Sequence, residues 1–515
     1  MTDHLSPLDA AFLDLEDEEP EVSLAISSVA VLEGPPPTHE EFLAAIRSRL
    51  PLVPRYRQKL KELPFDLGSP LWVDDPAFDL EYHVRRERLV APGDDAALCA
   101  RIADIMSQRL DRDRPLWEYW VLEGLAGGRW ALVSKVHHCM VDGVSGTHLY
   151  YVVFDESPEG SGPMPPDDWR PVPAPSTLSL LGGALRDLAL NPVEQVRMVG
   201  RALREPKETA RRVAETARGL AGLAGALWPA VASTLTGPIG RQRRYAVARA
   251  ALPEALEARK RAGVSLNDLV LAAIAGGFRT LLLGRGEEPD PHAVRTLVPV
   301  SVRARGEEGI YENRISLMLA FLPVHLADPV ERLRAVHDHL AELKAGMEAQ
   351  AGEAMTALAR HEPFPPVNWG VRLAAHLPQR NVITVTTNVP GPRKPLYLLG
   401  RRTLEILPYV PIATRLRTGV SIFTYCDQLT FGVTGDYDHV PEVPELAEAI
   451  AAELRALIAA YKPPEPPEPP QPSQPAESSQ PAEPPEAAEP PRPARRAPAK
   501  PRRTPAPRRR PQPTG

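Results

Sequence analysis

The segment from Asp111 to Gly143, DRDRPLWEYWVLEGLAGGRWALVSKVHHCMVDG, constrains the fold of this chain more than any other. It reads as strand, glycine turn, strand. In the second strand Trp130, Leu132, Ser134, Val136 and His138 fall on one face and Ala131, Val133, Lys135 and His137 on the other, because side chains alternate along a strand. Two adjacent histidines are therefore expected at a strand end, pointing to opposite faces.

The surroundings extend this into an alternation of strands and helices. Residues 22 to 32 read as a strand, and Phe42, Ile46 and Leu50 line one face of the helix that follows a proline break. A second helix is expected around Ala96 to Leu110, and another after Gly143 through Tyr150 and Val153. A proline-rich break from Pro158 to Pro175 ends this unit. Residues 178 to 235 read as helical, arginine-studded and punctuated by Pro192, Pro206 and Pro229, a crossover and not a domain. From Arg244 the alternation resumes: strand RYAVARAAL, helix SLNDLVLAAIAGGFRTLL, strands TLVPVSV and ISLMLAFLPV, a helix from Pro329 to about Leu358, strands NVITVTTNV, VSIFTY and LTFGVTG, and a last helix ending near Tyr461. Two mixed α/β lobes are the simplest architecture. The boundaries expected are 1–160 for the first lobe, 161–243 for the crossover, 244–462 for the second lobe and 463–515 for a tail.

That tail holds 20 of the chain's 60 prolines, six glutamates, and then nine cations from Arg492 to Arg510, so a packed core is not expected there and the segment reads as disordered. The whole chain of 515 residues carries a formal charge of −6, which leaves the body mildly acidic and the tail basic. Cys99, Cys139 and Cys426 are odd in number and lack metal-type spacing, which argues against a disulfide framework or a zinc site and fits a reducing cytoplasm. The acidic start MTDHLSPLDAAFLDLEDEEPE does not read as a signal peptide. The uncharged run between Arg218 and Arg241 reaches membrane-spanning length, but its glycines and Pro229 favour a buried or interfacial helix.

Among the residues that could carry chemistry, the His137 to Gly143 run is the most specific. A histidine titrates near neutral pH, so one held at a cleft can take a proton from a hydroxyl during acyl transfer, and His138 is the candidate base. Against this stands the plainer reading of two structural histidines. Asp142 sits where a helix N-cap belongs and Gly143 suits the tight turn beside it. Cys139, next to His138 along a strand, would be poorly placed as a nucleophile paired with it, and a small buried role is favoured.

His137 to Gly143 match the HHxxxDG pattern of the CoA-dependent acyltransferases, a superfamily that includes chloramphenicol acetyltransferase and the condensation domains of peptide synthetases. Taken with LSPLDAAFL at Leu5 to Leu13, PLW at Pro115 to Trp117, TGPIGRQRR at Thr236 to Arg244, LND at Leu266 to Asp268, VPVSVR at Val298 to Arg303, YENRIS at Tyr311 to Ser316 and NVPGP at Asn388 to Pro392, the chain resembles the bacterial wax ester synthase/diacylglycerol acyltransferase family from about Leu5 to Tyr461. The resemblance implies two chloramphenicol acetyltransferase-like lobes meeting at a channel. It implies that His138 deprotonates the hydroxyl of diacylglycerol or a long-chain alcohol for attack on an acyl-CoA thioester, with no covalent acyl-enzyme, no metal and no cofactor beyond acyl-CoA as substrate. His137 would orient. Pro115, Leu116 and Trp117 match a motif associated with the substrate channel, although a tryptophan beside a strand is equally core. Asn267 and Asp268 match the family's ND pair, although Ser265 or Asn267 would in any case cap the helix that follows.

Two rival readings stay open: an enzyme of the same chemistry taking its acyl group from a carrier-protein thioester, and a non-catalytic lipid-surface protein. The expected location is cytoplasmic and peripheral, at the inner membrane face or lipid inclusions. For the tail, an inert solvated extension weighs against an anionic partner, with a nucleic acid the less favoured one.

Overall fold

The computed structural model describes residues 4–5, 7–62, 70–140, 153–176 except 161 and 163, 233–301, 315–358 and 382–462. In chain order the helices are α1 (Pro7–Glu18), α2 (His39–Arg49), α3 (Leu80–His83), α4 (Asp95–Ser107), α5 (Leu252–Ala262), α6 (Leu266–Gly284), α7 (Pro329–Leu358) and α8 (Val443–Ala460). The strands are β1 (Ala25–Leu32), β2 (Gln58–Lys61), β3 (Leu71–Asp74), β4 (Val84–Arg88), β5 (Trp117–Leu125), β6 (Arg129–His137), β7 (Arg243–Ala251), β8 (Val294–Ser301), β9 (Ile315–Leu322), β10 (Thr384–Pro390), β11 (Tyr397–Leu398), β12 (Arg401–Tyr409), β13 (Thr418–Tyr425) and β14 (Gln428–Asp436). They build two mixed six-stranded sheets, β11-β12-β1-β6-β5-β4 and β7-β14-β13-β10-β8-β9, besides the β2-β3 hairpin.

In the first sheet β6 lies centrally, antiparallel to β1 on one side and β5 on the other. Its turn from β5 is made by Gly127 and Gly128, both at positive φ, where glycine carries no Cβ penalty. In the second sheet β10 runs parallel to β8 and β13, while β7, β14 and β9 are antiparallel to their neighbours.

Helices α6, α7 and α8 share the core with the second sheet. Ser265 caps α6 in a capping box: its hydroxyl accepts the Asp268 N–H at 3.1 Å and the Asp268 carboxylate accepts the Ser265 N–H at 2.9 Å, satisfying two donors at the helix start. Gly276 and Gly277 let α8 approach, since a Cβ at Gly277 would lie 2.5 Å from the Ile450 side chain. The fully buried Arg332 of α7 pairs with Glu453 of α8 and donates to the Ala272 carbonyl of α6, which compensates its charge. Helix α6 has the length and apolarity to cross a membrane, with a mean hydropathy of 1.5, but 72% of that stretch is buried, as in the core helix of a soluble protein. The uncharged run before Arg241 lies mostly outside the described residues, as do the helix expected after Gly143, most of the crossover and the tail.

Two strands depart from the sequence reading. Segment 244–462 was expected to form the second lobe alone, but β11 and β12 join the first sheet, and β12 pairs antiparallel with β1, placing Tyr409 opposite Ser27 and Pro408 opposite Ser28. Residues 1–462 form one compact unit. The stretch RRTLEILPY finds in β1 an edge open for pairing, and the pairing spans more than 370 residues of sequence.

Beyond its pairing with β1, β12 rests on the second sheet. The Pro408 carbonyl accepts the Tyr245 hydroxyl at 2.7 Å and the Ser421 hydroxyl at 2.9 Å. A Cβ built on Gly432 would lie 1.9 Å from that carbonyl oxygen, so only glycine admits the approach. Nearby, Arg249 of β7 binds both oxygens of Glu405 of β12 and pairs with Asp95 at the start of α4. Replacing Gly432 by alanine should therefore lower stability by about 1 to 3 kcal/mol, the usual cost of overpacking, seen as a fall in thermal midpoint. Gly284 in α6 has open space around its Cβ position, so Gly284→Ala should leave the midpoint unchanged or raise it. Equal effects of the two substitutions would contradict the contact assigned to Gly432.

Candidate active site

The histidine pair sits where the β6 ladder ends. His137 is the last residue of β6, opposite Ala25, and its N–H donates to the Leu116 carbonyl at 3.0 Å. His138 is the first residue of a short 3-10 turn through Met140, so it does not continue the strand as its sequence suggested. The pairing with β5 stops here because β5 begins at Trp117, which stands opposite Val136. The His138 amide turns instead to the Leu24 carbonyl at 3.2 Å, ahead of β1.

The two rings stand in different surroundings. His137 is 2% exposed, whereas His138 keeps part of its surface open. His137 Nδ1 accepts the Cys139 amide N–H at 3.2 Å and lies 2.9 Å from Cys139 Sγ. With Nδ1 used as an acceptor, the ring hydrogen belongs on Nε2, which faces Glu16 Oε1 at 3.3 Å. Cys139 thus meets a histidine, but the other one from the pair weighed in the sequence. It is 4% exposed and burial pushes its thiol up, with the nearby Asp9 and Glu16 charges acting in the same direction, so it is held as a neutral thiol and not as a nucleophile. The Phe12 ring packs on the His138 ring, centroids 4.3 Å apart.

Glu16, on α1, was missed by the sequence reading, which took the acidic start only as evidence against a signal peptide. Its carboxylate accepts the Leu24 N–H at 2.6 Å through Oε1 and the Arg112 guanidinium at 3.3 Å through Oε2, and it is 2% exposed. Burial alone would raise its pKa, but the His137 ring, the Leu24 amide and Arg112 outweigh it and bring the pKa to about 2. A signal was present: Phe12 and Glu16 are four residues apart, one helical turn, on a segment with helical spacing of apolar residues.

The PLW residues are buried side by side. Leu116 supplies the carbonyl that anchors His137, and Trp117 lies in a stack between His83 and Tyr56, with centroids at 4.4 and 4.6 Å and its indole N–H donating to the Tyr56 carbonyl. Trp117 is fully buried, within the core of the first sheet. Asn267 and Asp268 lie at the start of α6. Asp268 closes the capping box and also accepts His337 Nδ1–H at 2.8 Å from α7. Asn267 Oδ1 faces Asn388 Nδ2 at 3.4 Å, joining the ND pair to the NVPGP stretch at the end of β10. Asp142 and Gly143 lie outside the described residues. Among the described residues no three His, Cys, Asp or Glu side chains converge as metal ligands do.

Comparison with known proteins turns this arrangement into an identity. The wax ester synthase/diacylglycerol acyltransferase catalytic domain matches residues 5–270, and the C-terminal domain of the same family matches residues 311–458. The chain belongs to the wax ester synthase/diacylglycerol acyltransferase family. It is similar to a probable diacylglycerol O-acyltransferase, tgs1, of Mycobacterium tuberculosis and to a putative diacylglycerol O-acyltransferase of Mycobacterium bovis, 44% identical to each over 85% of this chain and 92% of the relative. The structure resembles the wax ester synthase/diacylglycerol acyltransferase from Marinobacter aquaeolei, with a TM-score of 0.62 and 25% identity over 89% of this chain and 99% of that one. A condensation domain of the calcium-dependent antibiotic synthetase shares the fold at a TM-score of 0.53 and 17% identity, covering 89% of this chain and 97% of that one. The protein is thus an acyltransferase of this family, as the motifs suggested, and the His137–His138 pair and the ND pair both fall inside the matched catalytic domain.

His83, stacked on Trp117, is expected to make the fold acid-sensitive. Burial lowers the His83 pKa to about 4 from 6.5, against the opposing pull of the Trp117 carbonyl, which accepts His83 Nδ1–H at 2.7 Å. Between those values the unfolded chain binds the proton and the folded one does not. The stabilisation is therefore complete above pH 6.5 and is lost as pH falls toward 4, by roughly 3 kcal/mol at about 1.4 kcal/mol per pKa unit. Unfolding free energies measured across that window should fall less steeply for His83→Gln than for the wild type, and parallel slopes would remove His83 from the account.

Proposed function

We propose that the protein transfers a fatty acyl group from acyl-CoA to the hydroxyl of diacylglycerol, and to long-chain alcohols, with His138 as general base. The observation that carries this reading is the asymmetry of the pair: His137 is sealed and bonded, while His138 retains exposed surface at the end of the strand. A base needs such access. The names of the mycobacterial relatives support the diacylglycerol acceptor, and that of the Marinobacter structure supports both acceptors.

In this mechanism His138 takes the hydroxyl proton as the alcohol oxygen bonds to the thioester carbonyl carbon. Collapse of the tetrahedral adduct breaks the C–S bond, and the departing CoA sulfur takes the proton from the imidazolium. The ester and free CoA leave and the histidine is returned neutral. Because a thioester is already activated, holding the two substrates together and moving one proton suffices, with no acyl-enzyme and no cofactor beyond the acyl-CoA itself.

The assay follows free thiol release from palmitoyl-CoA with and without diacylglycerol. Release should depend on the acceptor, initial-rate plots for the two substrates should intersect, and His138→Ala should lower turnover by roughly two to four orders of magnitude in a folded protein. Near-normal release by that variant would overturn the base assignment, and parallel initial-rate lines would indicate an acyl-enzyme.

The acceptors proposed are insoluble in water, so the reaction belongs at a lipid surface, and we propose that the enzyme sits peripherally at the inner membrane face or on lipid inclusions. The cations between Arg492 and Arg510 supply the attraction, each worth up to about 1 kcal/mol near anionic lipid and weakened by salt. Deleting residues 463–515 should leave turnover of a short soluble alcohol unchanged and reduce binding to phosphatidylserine-containing vesicles at low salt. Equal vesicle binding with and without the tail would remove it from the docking account.

A further inference from the structure

The contacts of α1 reach beyond the pair of histidines to the residue that holds them. Glu16 is buried, and each polar group the structure sets against its carboxylate is a donor: the Leu24 amide at 2.6 Å, His137 Nε2 at 3.3 Å and the Arg112 guanidinium at 3.3 Å. Two of these lead to the proposed base. His137 adjoins His138 in the chain, and the Leu24 carbonyl, on the residue whose amide Glu16 holds, accepts the His138 N–H at 3.2 Å. One carboxylate therefore fixes the ring before the base and, through Leu24, the backbone of the base itself.

The helix carrying Glu16 is itself anchored. Arg112 donates to the Leu13 carbonyl and to Asp17, both at 2.8 Å, and Arg109 reaches the Glu16, Glu19 and Val22 carbonyls. One turn before Glu16, Phe12 lies on the His138 ring. The same face of α1 thus touches both histidines.

The geometry points to Glu16 as a positioning residue for acyl transfer: its ionised carboxylate, acting with the Cys139 amide on the other ring nitrogen, fixes the tautomer of His137 and the placement of His138, without touching substrate. This inference rests on the assignment of His138 as base, and its test separates the two. Glutamine at position 16 would keep the shape and lose the charge, and its amide nitrogen would have to face one of the three donors, breaking the seat in either orientation.

The experiment is a double-mutant cycle in the full-length protein, with kcat and KM measured for Glu16→Gln, His138→Ala and the pair. Glu16→Gln is expected to lower kcat by roughly 10- to 100-fold with KM for acyl-CoA within about threefold of wild type, and to cost less than about threefold once His138 is already alanine. Glu16→Asp, which keeps the charge on a shorter stem, should lose less kcat than glutamine does, and its loss too should vanish in the His138→Ala background. It serves for the cycle if the glutamine variant does not fold. An equal loss in both backgrounds would mean that Glu16 only supports the fold, and would overturn the inference. A second readout is independent of turnover: nitrogen-15 spectra of His137 should show the Nε2–H tautomer in the wild type and a changed tautomer or protonation in the Glu16 variant. An unchanged His137 spectrum overturns the inference as well. Should His138→Ala turn over normally, the base assignment falls and the His137 spectrum alone decides the role of Glu16.

Discussion

The carbonyl of Pro408 lodged against Gly432 is the contact on which the arrangement of the two sheets depends. It brings the backbone of β12 closer to β14 than a side chain would allow, and the Tyr245 and Ser421 hydroxyls satisfy the carbonyl in that buried place. Because β12 also pairs with β1, and β1 pairs with β6, the end of β6 is registered against the second sheet through two intervening ladders. The position of His137 is thus set by residues far from it in sequence. Arg249 reinforces the tie by gripping Glu405 of β12 and Asp95 of α4 together. The hydrogen bonds and ion pairs at this crossing give direction, while the packing of β12 on β13 and β14 supplies the apolar burial that holds it.

At the motif itself, what separates two adjacent and chemically identical side chains is the end of a ladder. His137 still has neighbours on both sides, and its ring is enclosed between the Cys139 amide and Glu16. One residue later β5 has no partner to offer, the chain turns, and His138 keeps an open surface. A strand interior would have sealed both rings. A free loop would have fixed neither. The junction does one of each, which is what the role proposed for His138 asks of a base that has to meet substrate in a defined orientation.

Much of this was legible in the sequence, and the reasons for the remainder are physical. The period-two pattern of β6, the capping signal of Ser265 and Asp268, and the strand–helix alternation of the second half are local, so they show in a single chain. Helix α1 was passed over because its acidic side chains mask the apolar spacing of Phe12, Leu13 and Leu15. Strand β12 was passed over because its partner is more than 370 residues away and nothing local announces the crossing. The extra strand residue given to His138 has a similar origin: alternation along β6 says nothing about where the neighbouring strands stop. Asp142 and Gly143, read from the sequence as a cap and a turn, lie outside the described residues.

The family motifs away from the histidines share a property that clarifies their presence. Leu116 holds the amide of His137, Trp117 fills the stack behind it, and the Asp268 carboxylate joins the start of α6 to α7 through His337. Asn267 meets Asn388 where β10 ends, and Gly391 just beyond lies so close to the Thr424 carbonyl that a Cβ there would be 2.2 Å from it. Each is a joint between elements that must hold one relative position. In the proposed mechanism a single proton moves through His138, so few groups need touch the substrates, and the remaining motif geometry keeps His138 and the two sheets in register. Motif residues of that kind should make their effect felt through the placement of His138 and not through contact with the reacting atoms.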